Sequence, residues 1–171
     1  MLSKLGMMDS AEATEKLTAA LNGYKLSAND AIGIVDKLVN IDLIAATSSE
    51  ELATALQYVS SQANAANISF DKLTALIATA SETTRLSAES IGNAFKSIIA
   101  RMQNVKLGKF IDDSGESIND TEKILNSFGI ALRDSNKEWR NLEDVIDEVG
   151  SKWDSFTSVE KDAIGVAIAG R

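Results

Sequence analysis

The sequence predicts a mainly α-helical protein, a bundle of short amphipathic helices and helical hairpins with one or two small β-hairpins in its C-terminal half. Three observations carry this reading. Apolar residues recur at helical spacing almost continuously up to Met102. Ser residues precede several of these stripes, where a hydroxyl can accept from the orphan N–H groups of a first turn. Aromatics make up only 5% of the 171 residues, while Ala, Ile, Leu, Ser and Thr abound, which suits closely packed helices better than a sheet.

The first helix runs from about Ser10 to Asn22, with Ala13, Leu17, Ala20, Leu21 and Tyr24 on or near one face, and Gly23 ends it. Ser27 with Asp30 makes a capping-box pair for the second, whose inner stripe reads Ala28, Ile32, Val35 and Val39, weakened by Gly33. Ser48 with Glu51 is the cleanest capping box and opens a long helix striped by Leu52, Leu56, Val59, Ala63 and Ala66. Ser69 starts a fourth helix, with Phe70, Leu73, Ile77 and Ala80 inward. Ser87 starts a fifth, with Ile91, Phe95, Ile98 and Met102 on one face. Leu26-Ser27, Ile68-Ser69 and Leu86-Ser87 repeat one device, an apolar residue before a Ser cap, as in a hydrophobic staple.

From Val105 the pattern changes. Phe110-Ile111 and Ser117-Ile118 flank the turn signal Asp113-Ser114-Gly115, which predicts a hairpin over 108–118. A short helix from Asp120 ends at Gly129. Ile130-Ala131-Leu132-Arg133 and Glu138-Trp139-Arg140 flank Asp134-Ser135-Asn136-Lys137 and predict a second hairpin over 129–141. Asn141 with Asp144 opens a helix bearing Leu142, Val145, Ile146, Val149 and Trp153, and Ser158 opens a last one. Its apolar pattern is still running at Arg171, so the chain is expected to continue into something longer. The change of pattern divides the sequence into a helical part, 1–104, and a smaller α+β part, 105–171.

Composition excludes several functions. Without Cys there is no disulfide or thiolate site. Without His there is no imidazole base and no commonest metal ligand. A net charge of −8 opposes non-specific nucleic-acid binding, whose affinity comes from neutralised phosphates. Met1–Met8 is too short and weakly apolar for a signal peptide, and the longest apolar run, Ala163–Ala169, falls far below the ~20 residues of a membrane span. The chain is expected to be soluble.

The chemistry-bearing traces are weak. Glu89-Ser90, with Gln103 further on, echoes the catalytic Glu-Ser and later Gln of lytic transglycosylases. The Asn-Pro after the Glu-Ser and the Gly-rich turn before the Gln are both missing. An acid in a first helical turn is favoured by the dipole in any case. Asp134, Asn136 and Glu138 mimic the start of a calcium loop, but Trp139 stands where Gly is required and Val145 where the bidentate Glu belongs. No catalytic residue, cofactor or metal is predicted.

One stretch is more specific. Ile77–Asp113 joins a polar turn, a capped amphipathic helix (SAESIGNAFKSIIARMQ), a basic exit and a Gly-punctuated acidic loop. Together with Leu21-Asn22-Gly23-Tyr24, Ile68–Leu73 and Gly129–Asp134 in the same order, it resembles the core region of tail tape measure proteins of long-tailed bacteriophages and prophages. The resemblance spans roughly residues 10–171. It implies a folded module of a much longer, oligomeric virion protein. That protein would lie inside the tail, contact tail tube proteins, tail tip proteins and tail assembly chaperones, and act in tail assembly, length determination and DNA delivery. It brings no catalytic residues with it. A helical adaptor of another bacterial protein is the rival reading, and a wall-degrading enzyme the third. Lys96, Arg101, Lys106 and Lys109, a basic run uninterrupted by acids, together with Trp139 and Trp153, form the candidate interaction surface.

Overall fold

The computed structural model describes residues 9–103 and 119–170. Among them the chain forms eight α-helices: α1 (Ser10–Gly23), α2 (Ala31–Asp42), α3 (Ser49–Ala65), α4 (Phe70–Thr84), α5 (Ala88–Met102), α6 (Asp120–Ser127), α7 (Leu142–Lys152) and α8 (Ser158–Ala169). Single 3₁₀ turns, Ala28–Asp30 and Trp153–Ser155, precede α2 and follow α7. Two compact units result, Met1–Lys96 and Ser97–Arg171, and the division falls within α5.

Helix starts follow local chemistry. Ser48 Oγ accepts from the Glu51 amide at 3.1 Å while Glu51 Oε2 accepts from the Ser48 amide at 2.8 Å, a complete capping box. Ser69 and Asn119 accept from the amides of Lys72 and Glu122 in the same way. The last helix is capped by Thr157, with Glu160 as its reciprocal partner, one residue before the expected Ser158. Asn141 lies at the start of α7 but makes no side-chain cap bond.

Helix ends reveal why apolar–Ser pairs recur. Lys25, Asn67 and Gly129 take positive φ of 55°, 55° and 71°. The amides of Leu26, Ile68 and Ile130 then reach back to the carbonyls of Leu21, Ala63 and Leu125, each at 2.9 Å. This is Schellman geometry, in which the residue after the left-handed one turns inward. Ile68 and Ile130 are buried. Leu26 and Ile68 therefore close one helix, and the Ser that follows each belongs to the start of the next. Leu86-Ser87 departs from this: Arg85 is left-handed, but Leu86 is 57% exposed and its amide donates to Thr84 Oγ1.

In the first unit α3 is the central element, packing against α1, α2 and α4. Leu52, Ala55, Leu56, Val59 and Ala63 on it have no exposed surface. Small residues let neighbours come close. A Cβ on Gly23 would lie 2.5 Å from Ser60 Cβ, and one on Gly92 would lie 2.5 Å from the Ala55 carbonyl oxygen. In the second unit α6 packs on α8, and the buried Thr121 hydroxyl donates to the Ala167 carbonyl at 2.9 Å. Leu125, Ile130, Leu132, Leu142, Val145 and Ile164 fill that core.

The structure corrects four expectations. The hairpin over 129–141 is reduced to one antiparallel bridge, Arg133 with Trp139, and no strand occurs among the described residues. Ile130 is consumed by the Schellman turn, and Asp134 Oδ1 accepts from the amides of Asn136 and Glu138, so a side chain takes donors that a ladder would use. The hairpin over 108–118 lies outside the described residues. On α2 the buried face is Ile34, Val35 and Leu38, while Ile32 is 70% exposed. The 3₁₀ turn at Ala28–Asp30 advances three residues per turn, so a stripe extrapolated from Ala28 at 3.6 is out of phase. On α5, Ile91, Ile99 and Met102 are buried, whereas Phe95 and Ile98 are only half-buried. Trp153 lies beyond the end of α7 and is 39% exposed instead of extending its inner stripe.

Candidate interaction surface

Lys96 and Arg101 both project from α5 as exposed side chains. The Arg101 guanidinium lies against the backbone of Gly170, where an added Cβ would come within 2.5 Å of Nη2. Arg101 also borders an open hollow of about 240 Å³ in the second unit, together with Asn119, Thr121 and Val166. Lys106 and Lys109 lie outside the described residues.

Trp139 is placed by an electrostatic chain. Glu122, in the first turn of α6, is buried to 4% exposure, and its carboxylate stands 3.1 Å from Arg133 Nη2. The Arg133 guanidinium in turn lies 4.7 Å from the centre of the Trp139 ring, a cation–π contact. Half-buried Trp139 thus holds the bridge segment to α6. Trp153 is more open. Lys161 Nζ sits 5.8 Å from its ring centre, and Phe128 and Phe156 pair 5.6 Å apart in the same unit.

A second clamp secures the 129–140 segment. Glu148 on α7 accepts from Arg140 at 2.8 Å and Lys152 at 2.7 Å. Those same cations donate to the carbonyls of Ala131 and Gly129. The hydrogen bond from Lys152, then that from Arg140, holds the Glu148 carboxyl below its ordinary range. Asp30 is lowered by the Ser27 hydroxyl and amide, and Glu160 by the Thr157 amide and hydroxyl. These shifts stabilise charged acids at caps and ion pairs. A general acid needs the opposite shift.

The weak chemical traces have structural occupations. Glu89 is an exposed first-turn acid on α5, and Ser90 shares a hydrogen bond with Ser87. Asp134 is engaged by two backbone amides of its turn. Among the described residues no three His, Cys, Asp or Glu side chains converge as a metal site, and no helix is long and apolar enough to cross a membrane.

Sequence reasoning missed a set of exposed apolar side chains. Ile32, Leu43 and Ile44 are 70%, 77% and 86% exposed in the first unit, and Val159 and Val166 are 75% and 47% exposed on α8. On α2 the signal was present, because Leu43 and Ile44 do not extend the Ile34, Val35, Leu38 face. It could be read only once the helix phase was known.

Capped helices, close glycine contacts and ion pairs that tie its segments together define a mainly helical protein. The chain belongs to the phage-related minor tail protein family, whose model matches residues 1–170. It is a phage tail protein, associated with the virion and with other tail components. No solved structure matches it.

Proposed function

We propose that this chain is a module of a tail tape measure protein, acting through protein–protein contacts in tail assembly and DNA delivery. The observation that carries the reading is the tail-family match over residues 1–170, together with the ordered SAESIGNAFKSIIARMQ run that resembles the tape measure core. The helical units support a structural role, since their polar side chains serve caps, ion pairs and turns. The partners we propose are tail tube and tail tip proteins, tail assembly chaperones and further copies of the chain, inside the tail after assembly in the host cytoplasm. In this reading the module anchors or initiates assembly. The measured length resides in other parts of the parent protein.

The test is mass in solution. The purified chain, alone and with tail tube protein, is examined by sedimentation. A complex that is lost on Lys96→Glu, or on combining Arg101→Glu with Trp153→Ala, supports the reading and the residues assigned to it. Tail tube protein that never associates with chain or parent protein removes it in favour of an adaptor acting elsewhere. Clearing of peptidoglycan that disappears in Glu89→Gln would instead establish an enzyme.

A further inference from the structure

We draw no further inference here: the strongest candidate, the outer face of α2 and the turn after it, where Ile32, Leu43 and Ile44 stand exposed, carries nothing because no feature of the structure shows what covers it.

Discussion

Individual residues in this protein divide by what their nearest atoms allow. Gly92 faces the Ala55 carbonyl oxygen at a distance no Cβ tolerates, and a backbone oxygen cannot swing aside. Gly33, Gly150 and Gly165 sit within helices with nothing near the site of a Cβ. Gly92→Ala should therefore destabilise by roughly 1–3 kcal/mol through overpacking. Each of the other three should gain roughly 0.5–1 kcal/mol from helix propensity. Urea midpoints check this, and a shift of the same sign at all four positions would contradict the packing. Ser49 gives a second case. It is fully buried at the start of α3, its amide donates to Asp42, and its hydroxyl has no hydrogen-bond partner. Ser49→Ala removes a desolvated hydroxyl and should raise stability, by on the order of 1 kcal/mol. Glu122 is the reverse case, because its buried carboxylate is held against the Arg133 guanidinium. Glu122→Gln should cost about 3–5 kcal/mol, and the double change Glu122→Leu with Arg133→Met much less. Equal losses in the single and double variants would show that the ion pair is not the cause.

Elements were legible in the sequence to the extent that their signals were local. Ser48 and Glu51 announce α3 because both halves of a capping box lie within one turn. The phase of α2 was not legible, since a 3₁₀ turn that shifts it looks like ordinary helix in sequence. The bridge at Arg133 and Trp139 is overread because Asp134 Oδ1 takes two amides inside the segment, and because the tie of Arg133 to the buried Glu122 reaches outside it. Of the candidate surface, the exposure of Lys96 and Arg101 followed from their charge, whereas the tie between Trp139 and α6 required the fold. Acid should act on the elements through these links. Glu148 is lowered in the folded state, so its stabilising contribution is complete above its unfolded pKa of about 4.3 and is lost as pH falls through the folded value. Thermal midpoints should be flat above about pH 5 and fall below it. Glu148→Gln, which mimics the protonated acid, should lower the midpoint at neutral pH and approach the parent once the pH falls below the folded value of the carboxyl. A constant gap between the two curves would place the effect elsewhere than in the carboxylate charge.

At the scale of the whole molecule, the question is whether these residues measure length or hold something in place. A continuous helix of 171 residues would span roughly 250 Å at 1.5 Å per residue. The longest described helix, α3, has 17 residues and therefore spans only about 25 Å. Caps at Ser48, Ser69, Asn119 and Thr157 and left-handed exits at Lys25, Asn67 and Gly129 interrupt the chain. Within each unit it also doubles back, bringing Gly23 against Ser60 and Thr121 against Ala167. A segment folded in this way adds far less length than its residue count would as a rod. Removing residues 10–165 in frame from the parent protein should accordingly abolish tail assembly or DNA delivery. It should not yield working tails that are shorter by the ~230 Å those residues would span as a continuous helix. Electron micrographs of tails from the deletion strain, scored with its plaque-forming titre, decide the matter. Infectious particles with tails shortened by close to that full span would make this segment part of the ruler, and the anchoring role proposed for it would fall.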